Sequence, residues 1–87
     1  MKIKQYTVND KGLAEIQTFL AENHTMGGDY FSRKMLEAWA REAEYETRES
    51  GRAEIEIQSC YSVSGRAECY VISDEGLDCE EIDVEDE

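Results

Sequence analysis

The stretch AEIEIQSCYSV, residues 53–63, decides the fold, because the helical spacing of apolar residues in the preceding segment gives way here to a period of two. Ile55 and Ile57 fall on one side of an extended chain, and Glu54 and Glu56 fall on the other. Alternation of this kind is typical of a strand with one buried face and one face in water. The stretch therefore predicts a strand whose outer face is acidic.

Two further strands are predicted downstream. Residues 66–73, RAECYVIS, return antiparallel if residues 64–65, SG, form a two-residue turn. In that register Ile57 lies opposite Ile72, so that the apolar faces match. A third pass, CEEIDVE at residues 79–85, follows another turn and offers two apolar residues. Together the three passes predict an antiparallel meander.

A strand and two helices are predicted upstream. Residues 2–8, KIKQYTV, alternate weakly and contain β-favouring residues. A first helix over residues 10–23 ends at a pair of glycines, and Asp29 is then a candidate N-cap for a second helix over residues 30–48. The second helix carries an apolar stripe along one face: Met35, Leu36, Trp39 and Ala43.

This order of elements, a strand, two helices and a three-stranded antiparallel meander, predicts a two-layer α+β fold. A chain of 87 residues suffices for one domain with one modest core, and no repeat or linker divides residues 1–87. Residues 85–87, EDE, are expected to form a disordered acidic tail of that domain.

Negative charge dominates the composition. The chain carries 21 Asp and Glu against 9 Lys and Arg, a formal net charge of −12. Residues 67–87 contain ten acids and no base, whereas residues 1–66 contain eleven acids and nine bases. Such a surface repels phosphates, so direct nucleic-acid binding and association with anionic membranes are disfavoured. A basic partner is the natural counterpart.

The sequence predicts a cytoplasmic protein without metal or cofactor. It contains no run of 18 apolar residues and no apolar signal-peptide core. The three cysteines form no CxxC pair, and Cys60 and Cys69 are expected to lie opposite each other on adjacent strands as small apolar residues, with Cys79 farther along. A single histidine, His24, does not complete a metal site and is expected to face solvent or to contact the end of the first helix.

No catalytic motif is present, so the protein is not expected to be an enzyme. The sequence lacks a Gly-rich phosphate loop, an HExxH motif and a GxSxG motif. Glu54 and Glu56 would need a cleft that makes one an acid and the other a base, and alternating strand residues usually face water. Residues 74–85, DEGLDCEEIDVE, lack the regular carboxylate spacing and central glycine of an EF-hand loop, so tight calcium binding is not expected. Divalent-cation binding by residues 74–83 is a third alternative.

The carboxylates form the most unusual pattern of the chain. Alternate residues of a strand stand about 6.8 Å apart. The phosphates of one DNA strand rise about 3.4 Å per nucleotide along a winding path, which gives neighbouring phosphates a comparable spacing. Glu42, Glu46 and Glu49 form a second, partly neutralised row on the second helix. The candidate phosphate-mimicking residues are Glu54, Glu56, Asp74, Glu75, Asp78, Glu80, Glu81, Asp83 and Glu85, and the candidate aromatic anchors are Tyr30, Phe31, Tyr61 and Tyr70.

In its size, its lack of proline, its negative charge and its acid-rich strands AEIEIQ and CEEIDVEDE, the chain resembles the small acidic inhibitors of bacteriophages and other mobile elements. These include anti-CRISPR proteins and DNA mimics. The resemblance implies a stoichiometric inhibitor in the host cytoplasm that occupies a basic nucleic-acid channel of an effector complex or nuclease. Its partner would be a basic nucleic-acid-binding protein or a ribonucleoprotein. The resemblance rests on composition and carries over no functional residue.

The sequence leaves a different interpretation open. Charge runs are usually solvated faces or tails that raise solubility. The protein would then be an interaction or regulatory module of the antitoxin or adaptor kind, which binds through an apolar helix face. Ionic strength separates the two interpretations, because binding by a mimic weakens as salt rises and binding by an apolar face does not.

Overall fold

A computed structural model describes residues 1–27 and 30–84 of the chain. It confirms an α+β fold in the predicted order, with a strand, two helices and then strands. The elements are β1 Lys2–Val8, α1 Asp10–Asn23, α2 Arg33–Ser50, β2 Glu54–Ile57, β3 Glu68–Val71 and β4 Leu77–Asp83. The predicted tail at residues 85–87 lies outside the described residues.

Helix α1 begins where the sequence predicts it. Asn9 is the N-cap, and its side-chain oxygen accepts a hydrogen bond from the Gly12 N–H at 3.0 Å. Such a cap satisfies an N–H that a helix start leaves without a partner. The first turn packs on a 3-10 turn at Asp74–Gly76, where a Cβ on Gly12 would collide with the Gly76 carbonyl oxygen. The absence of a side chain on Gly12 therefore lets α1 approach the segment that leads into β4.

Helix α2 begins three residues later than predicted. Its N-cap is Ser32, whose hydroxyl accepts a backbone hydrogen bond at 3.4 Å, so the first helical residue is Arg33 instead of Tyr30. Phe31 gives the physical reason, because its ring is buried in the core and its backbone leads into the helix without joining it. The predicted cap, Asp29, lies outside the described residues.

The core forms where the two helices meet β2. Small alanine side chains on α2 allow close packing, and branched residues of α1 and β2 fill the remaining space. Both helices keep polar residues on their outer faces, and within the described chain neither is long and apolar enough to span a bilayer. The buried apolar residues are Ile16, Leu20, Phe31, Leu36, Ala40, Ala43, Ala53, Ile55, Ile57 and Ile72.

The strands do not form the predicted three-stranded meander. They form two antiparallel ribbons, β1 with β4 and β2 with β3. Charge gives a physical reason, because β4 places Glu81 opposite Lys4 and Asp83 opposite Lys2, whereas β3 contains no basic residue. Opposite charges across a ladder stabilise a strand pair by about 0.2–1 kcal/mol, and like charges destabilise it. The prediction was wrong because the best partner of β4 is the most distant strand in sequence.

The β2–β3 ribbon also has a different register from the predicted one. Ile57 lies opposite Glu68 and not opposite Ile72, a shift of four residues. The connection is not a two-residue turn, because residues 58–67 form a longer loop that contains a 3-10 turn at Ser59–Tyr61. An even shift leaves each side chain on its own face of the ribbon. The isoleucines of β2 are therefore buried as predicted, although their cross-strand neighbours differ.

Helix α2 packs against both ribbons. On one side, Oε1 of Glu44 accepts a hydrogen bond from the Val8 N–H of β1 at 2.9 Å. On another side, Glu42 and Glu46 border β2. The molecule measures 45 × 23 × 20 Å, and its radius of gyration of 14.3 Å exceeds the value of about 12 Å that a compact domain of this length would have. The outer half of the β1–β4 ribbon is mostly exposed to solvent.

Candidate functional site

Two of the predicted acids, Glu54 and Glu56, line a groove between β2 and α2. Strand β2 places them two residues apart on its outer face, and α2 places Glu42 and Glu46 one turn apart on the side that faces them. We call these four glutamates the acidic groove, which has a volume of about 290 Å³. The two rows that the sequence predicted on separate elements are thus brought together.

Basic residues compensate the acidic groove only in part. Nη2 of Arg52 lies 3.6 Å from Oε2 of Glu54, and among the described residues this is the one ion pair that the four glutamates make. Glu42 and Glu56 are exposed to solvent. The side chain of Glu49, which the sequence placed in the same helical row, lies outside the described part of the chain. The groove therefore carries a net negative charge.

The negative charge of the acidic groove affects the pKa of the Cys69 thiol. Cys69 lies opposite Glu56 in the β2–β3 ladder. Partial burial raises the pKa of the Cys69 thiol above its ordinary value of 9.0, and the charge and hydrogen bond of Glu54 and the charge of Glu56 raise that pKa further. The prediction that Cys60 and Cys69 lie opposite each other on adjacent strands is wrong, because the longer loop places Cys60 in an exposed 3-10 turn.

An aromatic pocket adjoins the acidic groove. His24 lies at its centre with only 7 % of its surface exposed, and the imidazole ring is nearly parallel to the rings of Tyr30 and Tyr61, with centroid distances of 6.1 and 5.7 Å. Phe31 meets the same imidazole edge-on at 5.0 Å. The pocket has a volume of about 700 Å³, and Trp39 also lines it. Of the two expectations for His24, exposure to solvent or contact with the end of the first helix, the second is confirmed, because His24 is the C-cap of α1.

Backbone hydrogen bonds hold the pocket together. The His24 N–H caps α1 by donating to the Leu20 carbonyl at 2.8 Å, and Nδ1 of His24 accepts the Met26 N–H at 3.1 Å. The Thr25 N–H donates to the Tyr61 carbonyl at 2.7 Å, which fastens the β2–β3 loop to the end of α1. Periodicity carries no signal for this pocket, because its central rings come from two connecting segments, the α1–α2 connection and the β2–β3 loop.

The predicted aromatic anchors separate into different environments. Tyr30 and Tyr61 are 49 % and 53 % exposed and stand at the surface of the aromatic pocket. Phe31 is buried behind them. Tyr70 lies elsewhere, with its ring stacked on Phe19 at a centroid distance of 5.1 Å. Only the first two therefore offer an exposed ring to a partner beside the acidic groove.

The aromatic pocket and the acidic groove form one continuous surface. Glu42, Glu56 and Gln58 line both of them. A ligand in the aromatic pocket therefore meets two of the groove's carboxylates. The sequence predicted acids and aromatics as parts of one partner-binding surface, and the structure brings Tyr30 and Tyr61 next to the predicted acid Glu56.

The acids of β4 lie away from this surface and are partly matched by lysines. Glu81 and Asp83 face Lys4 and Lys2 across the β1–β4 ladder. Residues 67–87 contain no base of their own, but β1 places Lys2 and Lys4 opposite two of their acids. Glu80 points to the opposite face of the ribbon, since neighbouring strand residues alternate.

The remaining predicted acids lie at the base of the β1–β4 ribbon or beyond the described residues. Asp74 and Glu75 occupy the 3-10 turn before β4, and Nζ of Lys11 lies 3.7 Å from Oε2 of Glu75. Oδ1 of Asp78 accepts a hydrogen bond from the side-chain amide of Asn9 at 3.2 Å. Glu85 lies outside the described residues.

No metal site emerges from the part of the chain that the structure describes. Within residues 1–27 and 30–84, no three His, Cys, Asp or Glu side chains are grouped so that they could hold a metal ion. The four glutamates of the acidic groove and the acids of residues 74–83 are included in that search. The alternative of divalent-cation binding therefore gains no support from the described residues.

No protein-family model, curated protein or solved structure matches the chain.

Proposed function

We propose that this protein is a nucleic-acid-mimicking inhibitor of the anti-CRISPR-like kind that its sequence resembles. It binds a basic nucleic-acid-binding surface of an effector complex or nuclease and blocks substrate binding. The observation that carries this proposal is the acidic groove, in which two secondary-structure elements place four glutamates side by side. Among the described residues, these four glutamates make one ion pair, between Glu54 and Arg52. The protein would act in the cytoplasm, without catalysis and without a cofactor.

The spacing of the groove's carboxylates supports mimicry. Glu54 and Glu56 alternate on a strand and stand about 6.8 Å apart. Glu42 and Glu46 are one helical turn apart, with about 5–6 Å between their Cβ atoms. Neighbouring phosphates of a nucleic-acid strand have a comparable spacing. The groove therefore presents two short rows of negative charge to the lysines and arginines that grip a nucleic-acid backbone.

Fixed geometry separates this surface from a solvated acidic tail. The groove's carboxylates sit on a helix and on a paired strand, so little conformational entropy is lost when a partner binds. The net charge of −12 also speeds encounter with a basic partner through electrostatic steering. The partner's own lysines and arginines repel one another until an anionic surface lies among them, which adds to complementarity.

The acids of β4 have a secondary role in this proposal. Glu81 and Asp83 lie opposite Lys4 and Lys2 across the ladder, so each has a positive charge on the neighbouring strand. Glu80 is exposed on the other face of the ribbon, and Asp78 is held by a hydrogen bond from Asn9. These residues contribute to the long-range field more than to close contacts.

A protein-interaction or regulatory module is the second candidate, and one observation favours it. Met26, Tyr30, Tyr61 and Val63 are 56 %, 49 %, 53 % and 65 % exposed around the aromatic pocket and its loop. The apolar helix faces that the sequence assigned to this function are packed in the core. A partner of this second kind would therefore bind the exposed aromatic surface and would tolerate high salt.

Capture at stepped ionic strength tests the proposal. The immobilised protein is incubated with lysates that contain nucleic-acid-processing complexes and is washed at rising salt. Each captured protein is then purified and tested for competition with DNA and RNA. We expect basic nucleic-acid-binding proteins that are released as salt rises and that bind either nucleic acid or the inhibitor. A partner that stays bound at high salt together with its nucleic acid would contradict the proposal.

Two variants with equal loss of charge separate the acidic groove from the β1–β4 ribbon. Glu42→Gln/Glu56→Gln removes two charges from the groove, and Glu80→Gln/Asp83→Asn removes two from β4. We expect the groove variant to weaken partner binding about tenfold or more and the β4 variant to change it by less than about threefold. Equal effects would show that net charge alone governs binding.

A further inference from the structure

The aromatic pocket has the composition of a cation-binding site. Exposed rings of Tyr30 and Tyr61 stand at its surface, and Trp39 lies deeper. Glu42 and Glu56 stand at its border with the acidic groove. Among the described residues that line the pocket there is no Lys or Arg. The face of an aromatic ring is negative, so rings and carboxylates together favour a positively charged ligand.

The pocket is ordered by contacts that do not depend on a ligand. The rings of Tyr30 and Tyr61 lie at 13° and 8° to the imidazole plane of His24, which is buried between α1 and the β2–β3 loop. The hydrogen bond from Met26 to His24 orders the first segment, and the hydrogen bond from Thr25 to Tyr61 joins that segment to the β2–β3 loop. Aromatic side chains held in this way lose little entropy on binding.

We infer that the aromatic pocket binds the guanidinium group of an arginine side chain of the basic partner. The guanidinium plane stacks on a tyrosine ring, and its N–H groups donate to the carboxylates of Glu42 and Glu56. This inference rests on the proposed function for the nature of the partner. It deepens that function, because it supplies the specific contact that a row of charges lacks.

Arginine fits this pocket better than lysine does. A guanidinium is planar and weakly hydrated, so it stacks on aromatic faces and bonds to a carboxylate in the same pose. A lysine ammonium is compact and strongly hydrated, and it gains less from an aromatic face. The volume of about 700 Å³ also falls in the range of ordinary ligand sites, about 300–1,000 Å³.

Titration with small neutral-ended amino acids tests the inference without any protein partner. The probes are N-acetyl-arginine methylamide, the lysine analogue and the citrulline analogue, which keeps the shape of arginine without its charge. Amide and indole chemical shifts of the intact protein are followed by NMR. We expect the arginine probe to shift the indole signal of Trp39 and the amide signals of Thr25 and Tyr61. Its affinity should be at least about fivefold higher than that of either analogue.

Substitutions locate the binding site. Tyr61→Ala removes an exposed ring, and Glu56→Gln removes a carboxylate. Each is expected to weaken the arginine probe about fivefold or more. Tyr45→Ala and Glu22→Gln are matched controls, because both residues are exposed and neither lines the pocket. The controls should leave the affinity of the probe unchanged.

The outcomes distinguish this inference from the proposed function. Failure of the arginine probe to bind, equal binding of the citrulline or lysine probe, or no effect of Tyr61→Ala would overturn the arginine assignment. Salt-sensitive capture that is lost in the groove variant would still support mimicry in that case. Tight binding of the arginine probe that depends on Tyr61 supports the inference. If no captured protein then competes with nucleic acid, that result counts against mimicry but not against the arginine assignment.

Discussion

Tyr70 donates its hydroxyl hydrogen to Oε1 of Glu15 across 2.6 Å and so ties β3 to the middle of α1. Ser73 adds a hydroxyl hydrogen bond to Oε2 at 2.7 Å and a backbone N–H to Oε1 at 3.1 Å. One carboxylate thus receives three hydrogen bonds, one from β3 and two from the segment that follows it. Sequence patterns did not single out Glu15, because its partners lie more than fifty residues away.

We expect Glu15 to make the fold sensitive to acid. Burial raises the pKa of Glu15, but the hydrogen bonds from Tyr70 and Ser73 and the charge of Lys11 outweigh it and leave that pKa below the ordinary 4.5. A carboxylate whose folded pKa is lowered stabilises the fold above its unfolded pKa, and this stability is lost as pH falls through the folded pKa. Urea unfolding between about pH 7 and about pH 3 should therefore show a weaker pH dependence in Glu15→Gln than in the parent protein.

The control for this prediction is Glu22→Gln, which removes an exposed carboxylate from the same helix. It should keep the pH dependence of the parent protein. If Glu15→Gln also kept that dependence, the three hydrogen bonds would not favour the ionised carboxylate.

The phenol of Tyr70 offers an independent measurement of the same contact. The hydrogen bond to Glu15, then burial and then the charge of Glu15 raise the pKa of Tyr70 to about 12. In Glu15→Gln we expect this phenol to titrate closer to its ordinary pKa of 10.0. Ultraviolet titration of each protein with and without Tyr70→Phe isolates the phenol's contribution. An unchanged titration would show that Glu15 does not hold the hydroxyl.

The charge order of the β1–β4 ribbon can be tested by exchange. Lys4→Glu places two glutamates opposite each other at the Lys4–Glu81 pair and should cost about 1 kcal/mol at low salt, with a smaller cost at high salt. Lys4→Glu/Glu81→Lys restores opposite charges in reversed order and should recover most of the loss. Denaturant titration measures the free energy of unfolding of each variant. Failure of the exchange to recover stability would exclude cross-strand charge as the cause.

Gly12→Ala should destabilise the fold, although alanine favours helices. The new Cβ would collide with the Gly76 carbonyl oxygen and with the Val8 side chain. Overpacking of this kind costs about 1–3 kcal/mol, which exceeds the gain of about 1 kcal/mol in helix propensity. Thr18→Ala, at an exposed position of the same helix, is the control. A stabilised Gly12→Ala variant would show that α1 and the turn at Asp74–Gly76 are not in close contact.

The rate of Cys69 alkylation should respond to the negative charge of the acidic groove. The raised pKa of the Cys69 thiol leaves less thiolate near neutral pH, so iodoacetamide should modify it slowly in a variant that retains only this cysteine. Glu54→Gln/Glu56→Gln should increase the rate several-fold, and Glu80→Gln/Asp83→Asn should not. Equal rates in all three proteins would indicate that the groove's charge does not reach the thiol.

Local patterns predict the helices and β2 because their cause is local. The Asn9 cap, the apolar stripe of α2 and the alternation of Ile55 and Ile57 all depend on residues within one or two turns or one strand. The start of α2 was misplaced for a similarly local reason. The cap is Ser32, three residues after the predicted Asp29, and the burial of Phe31 accounts for the later start.

The pairing of strands was not predictable from the same patterns. β4 was assigned to β3 because consecutive strands usually pair, whereas the lysines of β1 offer it a better partner. The β2–β3 register depends on the ten-residue loop, whose path is set by two backbone hydrogen bonds, from Thr25 to Tyr61 and from Val63 to Asn23 at the end of α1. Composition therefore predicted the acids and the aromatics, but only tertiary contacts show which of them adjoin.

The pairing of β1 with β4 has a consequence for biosynthesis. β1 leaves the ribosome before either helix, yet its partner strand is translated after both helices and the β2–β3 ribbon. Until β4 is translated, the backbone edge of β1 that pairs with β4 has no partner strand. Helix α2 is then the main element that contacts β1. Ribbon closure is therefore a late event in the maturation of each nascent chain, governed by contacts of very large sequence separation.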